Sequence, residues 1–163
     1  MIDSHGTVAV CDAGPLIHLD EIECLDVMED FAKVIVPACV WNEAQMHRPK
    51  IFDRRSPVFE KVAPQYAYDE EIVAIAALLM LHRGEIDALR CARQVSGSIL
   101  ITDDSAARLA AKTLGIAAHG TIGVLIRAIR KKRKSSREIV SLLESLPRKS
   151  SLFIRKSLLD EII

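Results

Sequence analysis

The stretch SILITDDSAARLAAKTLGI, residues 98–116, changes its hydrophobic period half-way along. Ser98–Thr102 is a short run rich in isoleucine, preceded by Gly97 and followed by polar residues. Such a run reads as a strand buried on both faces of a parallel sheet. From Ser105 the apolar residues recur at Ala106, Leu109, Ala110 and Leu114, and Gly115 stops them, which predicts a helix. Strand, acidic turn and helix together place Asp103 and Asp104 at the carboxyl end of a strand, where open α/β sheets bind ligands. One aspartate is enough to cap a helix. The second asks for another role.

Working outward, Thr7–Cys11 reads as a first strand that ends in Asp12, and a helix follows from Leu16 toward Glu29, with Leu16, Leu19, Ile22, Leu25 and Met28 on one stripe. KVIVP (33–37) is a second strand, and ACVWNEAQM (38–46) a short helix. Residues 47–68 hold three of the six prolines and predict an irregular excursion with a short extended piece at Phe59–Val62. Asp69–His82 is apolar on most faces and predicts a buried helix, and GEIDALRCARQV (84–95) opens another. After the 98–116 unit come an edge strand in GIAAHG (115–120) and three closing helices at 121–132, 136–146 and 151–163. The alternation predicts a single domain over residues 1–163, a three-layer α/β/α sandwich around a mostly parallel sheet.

Composition narrows the classes of function. The chain has 163 residues, half of them hydrophobic and only 4% aromatic, so its core must be aliphatic. The 22 basic and 22 acidic side chains cancel, so net charge points to no particular partner. Cys11, Cys24, Cys39 and Cys91 form no C-x-x-C pair and lie in apolar runs, as reduced core residues do. The N-terminal MIDSHGTVAVCDAG lacks a basic segment followed by a long apolar one, which predicts no signal peptide and a cytoplasmic protein without a membrane span.

The acidic residues fall at strand ends. Asp12 follows the first strand, Glu43 lies on the helix after the second, Glu85 and Asp87 lie in the first turns of the 84–95 helix, and Asp103 and Asp104 end the next strand. In a parallel sheet these positions converge on one edge. Clustered carboxylates raise one another's pKa unless a cation offsets the repulsion, and oxygen donors suit Mg²⁺ or Mn²⁺. Among histidine and cysteine only Cys11 falls at these junctions, which argues against zinc. Residues two apart on a helix diverge, so Asp87 is expected at the inner position and Glu85 at an outer one, through water or at the helix N-terminus. Each residue also has a plain structural reading: caps for Asp12 and Asp104, solvation for Glu43, an ion pair with Arg90 for Asp87.

Taken in order, VAVCDAGPLIHL (8–19), VIVPACVWNEA (34–44), HRGEIDALRCA (82–92), ILITDDSAARLAAKTLGI (99–116) and HGTIGVLIRA (119–128) resemble a PIN domain, and most closely its VapC-like branch of toxins and toxin-like proteins. The resemblance implies a Rossmann-like fold and Mg²⁺- or Mn²⁺-dependent cleavage of RNA. It maps an acidic quartet onto Asp12, Glu43, Asp87 and the Asp103/Asp104 pair. The spacing of an aspartate two residues after Thr102 selects Asp104 as the catalytic member, with Asp103 as the alternative ligand. It further implies a homodimer and an antitoxin partner. The other reading is a non-catalytic module that binds nucleic acid or protein, its acidic site covered by the chain's own C-terminus, and a role in DNA metabolism is a third. For substrate grip the sequence offers RAIRKKRKSSR (127–137), with seven basic side chains, and Arg48, Lys50, Arg54 and Arg55 in the excursion. Trp41 and Tyr66 are the aromatics considered for base stacking, with core packing favoured for Trp41.

Overall fold

The computed structural model describes residues 6–53, 58–63 and 65–163. Five parallel strands, β1 (Val8–Cys11), β2 (Lys33–Pro37), β3 (Phe59–Val62), β4 (Ile99–Ile101) and β5 (Ala117–His119), form one sheet in the order β3-β2-β1-β4-β5. The helices are α1 (Ala13–Glu21), α2 (Ala38–His47), α3 (Glu70–Leu78), α4 (Arg83–Gln94), α5 (Ser105–Thr113), α6 (Thr121–Arg130), α7 (Ser136–Lys149) and α8 (Lys156–Ile162).

Strand alternation divides the core between the two faces of the sheet. Ala9, Cys11, Val34, Val36 and Ile101 face one side, where they pack with Leu16 and Leu19 of α1, Leu125 of α6, and Ile139 and Leu143 of α7. Val10, Ile35 and Leu100 face the other side, against Ile72 of α3, Ala88 and Leu89 of α4 and Ala110 of α5. The sheet is therefore covered on both faces, as its near-continuous apolar strands require. The four cysteines are free, and Cys11, Cys24 and Cys91 are buried. No helix among the described residues is long and apolar enough to cross a membrane.

Two local expectations need correcting, and the C-terminus adds a contact. The helix predicted from Leu16 to Glu29 ends at Glu21; Glu23 takes φ +55°, and Leu25–Asp30 continues as a 3-10 turn. The stripe Leu16, Leu19, Ile22, Leu25, Met28 repeats every three residues, which is the 3-10 period rather than 3.6. The helix expected to be buried over 69–82 is shorter and half-uncovered: α3 buries Ile72 and Ala76, whereas Leu78 and Met80 are 80% and 84% exposed. Finally, the C-terminus is tied down. Ser151 donates from its backbone N–H and its hydroxyl to the Glu21 carboxylate at 2.6 and 2.8 Å, and Leu159 joins the first core cluster.

The strand order reverses between β1 and β4, since β1 leads outward to β2 and the chain returns to β4 on the other side. That switch point opens a crevice at the carboxyl ends of the two strands.

Candidate functional site

Asp12 emerges where β1 stops, and its backbone N–H still donates to Ile101 of β4 at 2.9 Å. Its side chain is nearly buried. Oδ1 accepts from the Ala13 N–H at 2.9 Å and so caps α1; Oδ2 accepts from the Thr102 hydroxyl at 3.0 Å. Thr102, fully buried at the end of β4, also accepts from the Asp104 N–H at 3.3 Å, so one hydroxyl joins the two acidic turns. Burial pushes the Asp12 carboxyl up to about 6; the bonds from Ala13 and Thr102 offset part of this, and Glu85 and Glu43 add to it.

A crevice of about 330 Å³ gathers Asp12, Glu43, Glu85, Asp103 and Asp104, together with His18 and His82. Gly84 forms part of its wall: a Cβ there would lie 3.5 Å from Glu43 Oε2 and 3.7 Å from Asp12 Oδ1, so two carboxylates from different elements converge on that point. Glu85 turns back to accept from the His82 N–H at 2.8 Å; burial raises its pKa, opposed by that bond and reinforced by Asp104. No lysine or arginine is among the described residues that line the crevice, and none of the lining residues lies beyond Asp104.

Asp87 and Glu85 exchange the places expected of them. Asp87 is buried but does not line the crevice; its Oδ2 accepts from the Cys39 thiol at 3.0 Å, and Arg83 and Arg90 approach its oxygens at 3.9 and 3.8 Å. Only one of two residues two apart on α4 can face the site, and the face presented here is that of Gly84 and Glu85. Burial, and then the Asp87 carboxylate, push the Cys39 thiol up to about 11.

The aspartate doublet is divided as well. Asp104 caps α5, its Oδ1 accepting from the Ala107 N–H at 2.7 Å, and it remains exposed. Asp103 is more enclosed and takes three bonds: from Thr121 N–H to Oδ1 at 2.7 Å, from Thr121 Oγ1 to Oδ2 at 2.6 Å, and from His18 Nδ1 to Oδ2 at 2.7 Å. Burial alone would raise the Asp103 carboxyl; the donors from His18 and Thr121 outweigh it and hold the group below the usual carboxylate range.

His18 and His82 escape the sequence reading, which looked for histidine only at strand ends. The signal was helical spacing. His18 is four residues after Gly14, one turn along the same face of α1, and a Cβ on Gly14 would meet both His18 Cε1 at 3.5 Å and Asp103 Oδ2 at 3.9 Å.

The basic block is partly spent on structure. Arg127 and Arg133 approach Asp30 at 3.2 and 3.6 Å, and Lys134 reaches Asp26 at 3.2 Å. Arg130, Lys131, Lys132 and Arg137 make no ion pair among the described residues, and Arg130 lies nine residues, roughly 14 Å, down α6 from Thr121. In the excursion, Arg48 pairs with Asp20 at 2.6 Å, and Arg54 and Arg55 lie outside the described residues. Trp41 stacks on Phe52 at 3.6 Å between centroids, a packing role. Tyr66 is half-buried, whereas Tyr68, passed over in the sequence, is exposed.

Residues 8–163 match the model of the PIN-domain family DUF3368. The chain belongs to the PIN-domain family. No curated protein matches it. PIN domains are in general metal-dependent nucleases, and this PIN domain has its acidic residues at the β1/β4 crevice. Among its described residues, no three histidine, cysteine, aspartate or glutamate side chains form a ready-made metal cage.

Proposed function

We propose that this PIN domain is a Mg²⁺- or Mn²⁺-dependent endoribonuclease of VapC type, the toxin of a toxin–antitoxin pair. One observation carries the reading: five carboxylates from four elements face one crevice that no described lysine or arginine lines. Such a set repels itself: Glu85 and Glu43 add to the rise that burial imposes on the Asp12 carboxyl.

The residues fit a hydrated cation better than a bare one. The donors nearest the Gly84 wall are carboxylate oxygens of Asp12 and Glu43. Mg²⁺ takes one or two carboxylates directly and keeps waters, which suits a site without a tight cage. Asp12, Glu43 and Asp104 would hold it, and Glu85 would act through water. In this reading Asp103, which accepts three bonds, and Asp87, beside Cys39 and two arginines, stand outside the inner set. When bound, the cation supplies an activated water and neutralises charge on the phosphate. The protein's part is placement: Thr102 fixes Asp12 and the Asp104 turn in register, and Gly84 keeps the approach to Asp12 and Glu43 open. Arg130, Lys131 and Lys132 would draw the substrate backbone across α6.

Purified protein should cleave single-stranded RNA with Mg²⁺ or Mn²⁺ and lose that activity in EDTA, and Asp12→Asn should abolish it while leaving the circular dichroism spectrum unchanged. Turnover in excess EDTA, or undiminished in Asp12→Asn, overturns the reading. The same reading includes a homodimer and an antitoxin whose segment lies over the acidic crevice; co-purification with the product of an adjacent small gene tests the latter.

A further inference from the structure

We infer that His18 is a substrate-contacting residue of the crevice, its ring aimed by Asp103 and Thr121. This rests on the nuclease reading and assigns it a group that the acidic set does not include. The Asp103 carboxylate can only accept, so the 2.7 Å contact requires that His18 Nδ1 carry the proton. Thr121, fully buried at the start of α6, donates twice to Asp103 and fixes the carboxylate plane against the helix N-terminus. Gly120 is required for this approach, since a Cβ there would stand 2.7 Å from Asp103 Oδ1. Three elements, α1, the β4–α5 turn and α6, thus hold one imidazole in one orientation and one tautomer. Its Nε2 makes no hydrogen bond among the described residues and is not among the buried polar atoms left without a partner, and the residue lines the crevice beside Asp12 and Asp104. An oriented nitrogen with an unspent hydrogen-bonding site, on a residue lining the same crevice as the acidic set, is placed to meet the phosphate or its attacking water. Asp103 then serves the histidine rather than a cation, which gives the aspartate doublet two separate duties.

Four measurements test this. Long-range ¹H–¹⁵N spectra of the metal-free protein should show His18 protonated at Nδ1, and Asp103→Asn should shift the proton toward Nε2. Adding decauridylate in Ca²⁺ should move the His18 Nε2 resonance. Calorimetry with Mn²⁺ alone should give wild-type affinity for Asp103→Asn and His18→Asn, against a loss of roughly tenfold or more for Asp12→Asn. In Mg²⁺, His18→Asn, which retains a group for Asp103 but not one at Nε2, should lower kcat roughly 10- to 100-fold with little change in KM. His18→Gln, which can reach the Nε2 position, should recover part of that loss. Weakened Mn²⁺ binding in Asp103→Asn, an unmoved His18 resonance, or wild-type kcat in His18→Asn overturns the assignment. Failure of the nuclease reading itself would appear differently, as no turnover in the wild type with the His18 shift on decauridylate intact.

Discussion

At the scale of single residues, Asp12 is where architecture and chemistry conflict. The fold uses its carboxylate as a helix cap and buries it beside Glu43 and Glu85, so ionisation in the absence of a cation works against folding. The unfolded chain ionises Asp12 near 3.8 and the folded chain near 6, so between these values the native state holds the extra proton. Stability contributed by this group is therefore complete below about pH 4 and is lost as pH rises through 6. Asp12→Asn, whose amide oxygen can still accept from Ala13, should accordingly be more stable than wild type in EDTA at pH 7.5, by about 1–3 kcal/mol. That corresponds to several degrees in Tm, and the gain should vanish near pH 4. Added Mn²⁺ should raise the wild-type Tm more than that of the variant. A variant that melts below wild type in EDTA at pH 7.5 would mean that the cap, not the charge, dominates. Asp103 behaves in the opposite sense: its pKa is depressed by His18 and Thr121, so its contribution is present above the unfolded value and lost as pH falls through the folded one.

At the scale of elements, two glycines separate what holds the fold from what leaves room for chemistry. A Cβ on Gly120 would meet Asp103 Oδ1 at 2.7 Å and drive the carboxylate off the α6 N-terminus, whereas one on Gly84 would make only ordinary contacts at 3.5 and 3.7 Å with Glu43 and Asp12. Gly120→Ala should therefore cost about 1–3 kcal/mol on denaturant titration. Gly84→Ala should leave stability within about 1 kcal/mol while placing a methyl between the two carboxylates and weakening Mn²⁺ binding. The reverse ranking in stability would mean that the α4 N-terminus is tighter than its distances imply. These junctions also mark what the sequence could and could not disclose. The change of period at Thr102 located β4 and α5, and β3 appeared at Phe59–Val62 as expected, because such patterns are local. The Asp103 contacts span 85 residues to His18 and 18 to Thr121, and no local period encodes them. The sequence reading turned Asp87 inward, but helical geometry required only that one of Glu85 and Asp87 face the crevice, and the choice depended on how α4 packs against α2. The break in α1 was legible in principle, since its stripe repeats every three residues.

At the scale of the whole molecule, α3 is the element that the fold leaves unfinished. Its apolar residues outnumber the places the core provides: Ile72 and Ala76 are buried, while Val73 and Leu78 are exposed, with Tyr68 exposed just before the helix and Met80 just after it. The same excess misled the sequence reading, because a helix apolar on most faces looks buried whether its second face meets its own core or another chain. The C-terminus is anchored through Ser151 and Leu159, which leaves α3 as the stronger candidate for the proposed homodimer. Exposed apolar side chains of this kind suit an interface, and a two-fold axis through α3 would pair each residue with its own copy or a near neighbour. Light scattering should give twice the 18.0 kDa chain mass at micromolar concentration. Replacing Leu78 and Met80 together by lysine should return the single-chain mass without lowering Tm by more than a few degrees, since both side chains are already in solvent in the isolated chain. A wild-type monomer, or a dimer that survives the double substitution, would exclude α3 as the interface. If the substitutions also leave cleavage by the monomer intact, each crevice works alone.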